Sequence, residues 1–155
     1  MTELLSGGCQ CGAVRYTIRG QVSDRAICHC RMCQKAVGSV TWPFFTVKLA
    51  DMEWTRGRPA LYRSSEAAER GFCAACGTPL SFQPVDGDAL DLSIGSLDDP
   101  AKMPPDKQYW AGQRMPWFHA LPDLPETTSS ASPDDTKRRR PYQHPDHDTD
   151  DWPNR

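Results

Sequence analysis

Apolar residues along this 155-residue chain fall in short alternating runs, and Gly or Pro punctuates nearly every gap between them. In residues 13–19, Val14, Tyr16 and Ile18 alternate with polar neighbours, the period-2 pattern of a half-buried strand. Residues 40–42 and 44–47 predict two strand pieces separated at Pro43, where an edge position or a bulge is expected. Residues 60–63, 78–82 and 89–94 continue the series. Helical character is confined to short stretches near 32–37 and 97–102. No segment keeps an amphipathic helical period over about 11 residues, and there is no internal repeat. The expectation is an all-β domain with few short helices and long loops. Its predicted core comprises Val14, Tyr16, Ile18, Ile27, Val40, Phe44, Phe45, Leu61, Phe72, Leu80, Leu90, Leu92 and Ile94.

Composition divides the chain in two. Residues 125–155 contain no aliphatic residue larger than Ala, several prolines and blocks of like charge. Such a segment buries too little apolar surface to offset its ordering entropy, so it is read as a disordered polar tail with His144 and His147 solvated. Its removal is expected to leave stability unchanged. Residues 1–124 form the domain and carry 13 acidic and 13 basic side chains. A formally neutral domain argues against nucleic acid as a partner. Lys137-Arg138-Arg139-Arg140, flanked by acidic residues, reads as a solvated charge block rather than a polyanion site. No apolar run approaches membrane-spanning length, so no membrane partner is expected. The opening Met1-Thr2-Glu3-Leu4-Leu5-Ser6-Gly7-Gly8 has neither a basic nor an apolar leader region, which predicts a reducing, cytoplasmic location.

The seven cysteines change the picture most. They fall as Cys9-x-Cys11, Cys28-x-Cys30-x-x-Cys33 and Cys73-x-x-Cys76-Gly77. Thiolates two or three residues apart chelate a soft metal ion, zinc above all, and paired Cys-x-x-Cys spacing in a reducing compartment favours metal over disulfides. Iron–sulfur clusters use the same ligands. Strand alternation would point Cys9 and Cys11 to one face, and Cys73-Ala74-Ala75-Cys76-Gly77 reads as a tight knuckle. Spacing leaves two partitions open. Cys30/Cys33 with Cys73/Cys76 would make a zinc ribbon and leave three thiols over. Cys9/Cys11/Cys73/Cys76 with a separate Cys28/Cys30/Cys33 set uses every thiol, and is preferred for that reason. A three-ligand zinc keeps one position open for a substrate.

Taken together, Gly7-Gly8-Cys9-Gln10-Cys11-Gly12-Ala13-Val14-Arg15-Tyr16, Cys28-His29-Cys30-Arg31-Met32-Cys33-Gln34-Lys35 with Gly38-Ser39, and Arg70-Gly71-Phe72-Cys73-Ala74-Ala75-Cys76-Gly77-Thr78-Pro79-Leu80 resemble the glutathione-dependent formaldehyde-activating enzyme family, which also contains centromere protein V. Ser64-Ser65, Ile94-Gly95-Ser96-Leu97-Asp98-Asp99-Pro100, Trp117 and Leu121-Pro122 extend the resemblance over residues 5–124. It implies an Mss4-like β-rich fold with two zinc ions, a structural one on Cys9, Cys11, Cys73 and Cys76, and a second on Cys28, Cys30 and Cys33 where glutathione and formaldehyde meet. The implied reaction is reversible addition of the glutathione thiol to formaldehyde, a carbon–sulfur lyase activity. Where many relatives place a histidine before the late aromatic, this chain has Lys107-Gln108-Tyr109-Trp110.

Arg31 and Lys35, beside the three-cysteine run, are candidates to offset its negative charge and attract glutathione's carboxylates. Gly38 and Ser39 are candidates for close backbone approach and a hydroxyl. His29 is expected to point away from the cysteines, in a supporting role. Trp42, Trp54, Trp110 and Trp117 are expected in the core or in a pocket wall, and Asp98-Asp99-Pro100 in a structural turn. Two function classes stay open: a zinc enzyme of thiol adducts, and a zinc-stabilised binding module without turnover.

Overall fold

The computed structural model describes residues 4–127 and 141–151. The Lys137–Arg140 run lies outside the described residues. The fold is mainly β, as expected, and among the described residues ten strands form two sheets. The smaller sheet has the order β1-β2-β5, from Leu5–Gly8 (β1), Arg15–Ile18 (β2) and Met52–Arg56 (β5). The larger has the order β10-β3-β4-β9-β8-β7-β6. Its strands are Lys107–Tyr109 (β10), Val22–Cys28 (β3), Trp42–Lys48 (β4), Ala89–Ser93 (β9), Pro79–Pro84 (β8), Ala68–Phe72 (β7) and Ala60–Arg63 (β6). β10 joins β3 in parallel, and the other pairs are antiparallel.

Period 2 gives the large sheet two unlike faces. Phe45 and Val47 of β4 and Leu90 and Leu92 of β9 point toward the small sheet, where they meet Tyr16 and Ile18 of β2 and form the main core with Ile94, Leu97 and Met103. The alternate residues Trp42, Phe44 and Thr46 of β4 and Asp91 of β9 line an open cleft. That second face carries the chemistry.

Several sequence expectations are corrected in detail. β4 is continuous through Pro43, which pairs with Ile27 of β3. Pairing with β9 begins only at Phe44, so the proline lies outside the two-sided part of the strand. Leu61 is exposed on edge strand β6 rather than in the core, and Val40 lies in the loop before β4. The helix near 32–37 exists as Arg31–Val37 (α1); the one near 97–102 is reduced to a single 3-10 turn, Pro100–Lys102.

Residues 141–151 depart from the reading of a solvated tail. His144 is 3% exposed, and its backbone N–H donates to the Gln10 carbonyl at 2.7 Å. Asp148 accepts from Arg15, whose guanidinium is buried and also grips both oxygens of Asp98 at 2.7 and 2.6 Å. Arg56 donates to the Thr149 carbonyl and side chain. Composition gave no sign of this, because the segment docks through hydrogen bonds and charge rather than through apolar burial. The Asp98–Arg15 pair, by contrast, matches the structural role expected for that turn.

Candidate metal centres and the cleft beside them

Cys9 and Cys11 lie in the loop joining β1 to β2. A turn sets them, not strand alternation: Gly12 N–H donates to the Cys9 carbonyl at 3.0 Å, and Gly12 adopts φ 76°. A side chain at Gly12 would run into the His144 ring, so glycine is required there twice over. Cys73 and Cys76 follow β7 in the predicted knuckle, closed by Gly77 N–H to the Cys73 carbonyl at 2.8 Å with Gly77 at φ 79°. All four sulfurs lie within 4.8 Å of one another. Cys9 Sγ and Cys11 Sγ are 3.6 Å apart, and Cys11 Sγ and Cys73 Sγ 3.8 Å. A tetrahedron of sulfurs about 2.3 Å from zinc has edges of about 3.8 Å, whereas a disulfide is about 2.05 Å long. The set therefore fits a four-thiolate metal site, and the cysteines are unbridged. Burial opposes ionisation of Cys76, but the Thr78 hydroxyl and backbone N–H pull its thiol down to about 6.

The second set comes from one short segment. Cys28 ends β3, Cys30 caps α1, and Cys33 sits in its first turn. Cys30 Sγ accepts the Cys33 N–H at 3.4 Å, so the helix cap itself gathers the sulfurs. These three also lie within 4.8 Å of one another. Burial pushes the Cys28 thiol up to about 12; a backbone N–H from Cys30 opposes the shift and the neighbouring sulfurs add to it. Three adjacent thiolates are thus unfavourable alone, and a cation that neutralises them is what the donor set suits.

Arg70 of β7 completes this centre. Its Nη2 donates to Cys33 Sγ at 3.4 Å, while its guanidinium stacks on Trp42 and Phe82, 5.5 and 4.9 Å from their centroids. His29, between two of the cysteines, turns away as expected. It is fully buried, its Nε2 pairs with Gln108 Oε1 at 2.9 Å, and its ring meets Phe118 edge-on. Gln108 thus supports the segment from β10. The His29 backbone N–H donates to the Tyr109 carbonyl at 3.0 Å, tying the cysteine run to the same strand.

A cleft of about 630 Å³ opens from the three cysteines across the sheet face. Trp42, Phe44, Phe82, Tyr109 and Trp110 wall it, with Arg70, Asp91 and Asp24 as its charged groups beside Arg31. Among the described residues two non-glycine residues have positive φ, Asp24 at 46° and Trp110 at 57°, and both line this cleft. Such backbone is costly and clusters at functional sites.

The candidate residues around the cysteines divide. Arg31 lines the cleft, with its guanidinium tied to Gln34 Oε1 at 3.2 Å. Lys35 lines a neighbouring hollow with Tyr62, Phe72 and Gly77. Gly38 and Ser39 end the helix away from the cysteines and line neither hollow; Gly38, at φ 64°, caps it by donating to the Gln34 carbonyl. Of the tryptophans, Trp42 and Trp110 form cleft wall, Trp54 packs on the core, and Trp117 is half exposed. Sequence reasoning missed Arg70 and Asp91 as site residues. Strand alternation was the available signal, but it leaves open which face of the sheet is a cleft and which is solvent.

Fold and site define a β-rich protein with two cysteine centres, one of four sulfurs and one of three beside a cleft. A model of the glutathione-dependent formaldehyde-activating enzyme family matches residues 4–113, and the chain belongs to that family. It is similar in fold to a Rhodobacter sphaeroides protein of known crystal structure, with a TM-score of 0.52 and 23% identity over 66% of this chain and 98% of the other. No curated protein matches it. Among the described residues no helix is long and apolar enough to cross a membrane.

Proposed function

We propose that this chain is a zinc-dependent enzyme of thiol-adduct chemistry, joining or releasing a small thiol and formaldehyde as in S-(hydroxymethyl)glutathione formation. In this carbon–sulfur lyase reaction, run toward synthesis, sulfur bonds to the carbonyl carbon and the thiol proton ends on the former carbonyl oxygen. The observation that carries the reading is the three-sulfur set at one end of a roomy aromatic cleft. A module needing metal only for stability has that already in the four-cysteine centre; a second, incomplete set opening on a cleft suits a ligand.

Zinc on three thiolates would lower the pKa of an incoming thiol and favour its thiolate at neutral pH. Cys28, Cys30 and Cys33 would hold the ion. Arg70 offsets part of the negative charge of that set through Cys33 and keeps its sulfur in place. Trp42, Phe44 and Phe82 exclude water along the cleft floor, and Arg31 at its edge offers a cation to a substrate carboxylate.

The test is the exchange rate between free formaldehyde and S-(hydroxymethyl)glutathione, followed by NMR with zinc-loaded protein. Acceleration proportional to protein, and lost in Cys30→Ser, is expected. No acceleration by the wild type rejects the reading.

A further inference from the structure

The segment 141–151 lies beyond the residues matched by the family model, and the cleft chemistry makes no use of it. Its contacts converge on one place, the turn that carries Cys9 and Cys11. Gln10 sits between those two cysteines, and its backbone is held at both ends. Its N–H donates to the Thr78 hydroxyl, just after the knuckle, at 3.0 Å, and its carbonyl accepts the His144 N–H at 2.7 Å. The His144 ring packs on Gly12 so closely that no room is left for a Cβ.

The ring is itself pinned in place. The Pro145 carbonyl can only accept, so Nδ1 carries the proton and donates to it at 2.6 Å. Nε2 is then the acceptor, taking the Thr149 hydroxyl at 3.0 Å and Arg56 Nη1 at 3.3 Å. Arg56 Nη1 also donates to the Gly12 carbonyl at 3.2 Å, and its Nη2 to the Thr149 carbonyl. One guanidinium thus clasps turn and segment together. A second fastening is Asp148, whose Oδ1 accepts from Arg15 Nε at 3.0 Å and Nη2 at 2.7 Å. Residues 143–146 also share a hollow of about 180 Å³ with Cys9 and Thr78.

A chelator takes a metal from four thiolates only when some of them move off it. Cys9 and Cys11 travel with their turn, and the turn cannot swing out while His144 holds the Gln10 carbonyl. We propose that residues 141–151 are a strap that keeps the Cys9–Cys11 turn closed on its metal, with His144 and Asp148 as its fastenings. The strap sets how fast that ion exchanges; the four sulfurs set what is bound. Held by hydrogen bonds and charge, it opens without unfolding the domain. The inference rests on a metal at the four cysteines and not on thiol chemistry at the other three.

The experiment is stopped-flow release of zinc from the full-length, zinc-loaded chain into excess 4-(2-pyridylazo)resorcinol. The phase that persists in Cys30→Ser belongs to the four-cysteine centre. In His144→Ala/Asp148→Asn that phase is expected to run about tenfold faster, the effect of losing one or two hydrogen bonds, with the three-cysteine phase unchanged. An unchanged four-cysteine phase overturns the proposal. Val47→Ala, in the main core, is expected to lower Tm at least as much and to leave release at the wild-type rate. Equal acceleration by Val47→Ala makes the strap a source of stability only, and also overturns the proposal. Should the double variant not fold, Asp148→Asn is measured alone, since that side chain is 54% exposed. An acceleration of about threefold is then expected, and none rejects the strap. A chain that holds no metal at the four cysteines overturns this inference and leaves the proposed function standing. Failure of formaldehyde exchange, with release accelerated as expected, does the reverse.

Discussion

The two cysteine centres use the same donor atom and reach opposite ends. The four-cysteine centre draws Cys9 and Cys11 from one loop and Cys73 and Cys76 from another, and so ties the β1-β2 hairpin to the end of β7. The three-cysteine centre is made within one segment, where β3 passes into α1, and staples nothing distant. Around the first lie Val14, Leu80 and the docked His144 segment; beside the second lies a cleft. A metal that closes long-range contacts is a folding element. One held by local sequence at the mouth of a cleft can be lost without unravelling the chain.

The sharpest break in this comparison is Cys73→Ser. Structural zinc contributes about 10–16 kcal/mol of apparent binding energy to small domains, more than a domain's net stability, so the cooperative thermal transition should disappear. Next is Asp98→Asn beside the same centre, which leaves the 3%-exposed Arg15 poorly neutralised. A loss of about 3 kcal/mol is expected in urea unfolding. Burial opposes ionisation of Asp98, but Arg15 holds its carboxyl below the usual carboxylate range. Its stabilisation is therefore present above about pH 4 and lost as the pH falls lower. Asp98→Asn should show less acid sensitivity in that window.

Arg70→Ala acts on the other centre by removing the donor to Cys33 Sγ. Metal affinity there should fall about 10–100-fold in chelator competition, with the four-cysteine metal retained. Truncation after residue 127 removes the partners of Arg15 and Arg56 in the 141–151 segment. It should cost about 1 kcal/mol and lower Tm by a few degrees in calorimetry. The smallest stability change belongs to Cys30→Ser, within about 1 kcal/mol of wild type, although one metal equivalent is lost. Should Cys30→Ser unfold and Cys73→Ser melt normally, the two centres have been assigned the wrong way round.

The sequence made the β architecture and both sulfur sets legible because each is written in local spacing: alternation for strands, Cys-x-x-Cys for the knuckle and the helix cap. What it hid is set by pairing at long range. Asp91 reads as an ordinary polar residue in an alternating strand until Thr46 and Phe82 are placed beside it. Arg70 lies just before the Cys73–Cys76 knuckle in sequence, yet its role depends on Cys33, 37 residues away. His144 and Asp148 sit in a segment with nothing apolar to announce docking. Cys9 and Cys11 were grouped correctly for the wrong mechanical reason, since a turn and not a pleat aligns them.

The separation of the four-cysteine ligands along the chain also bears on assembly at the ribosome. The three-cysteine segment is complete once residue 33 has emerged, whereas the other centre waits for Cys76, about 40 residues later. At about 5–20 residues per second, Cys9 and Cys11 spend at least a few seconds as an unfinished pair while the rival trio is already available to metal. The local centre gains no loop to close, and the distant one closes more than 60 residues at an entropic cost that rises only with the logarithm of loop length. In the proposed protein with an ion at each centre, the local trio is thus complete first, and the metal that closes the fold finds its full ligand set only when Cys76 has been made.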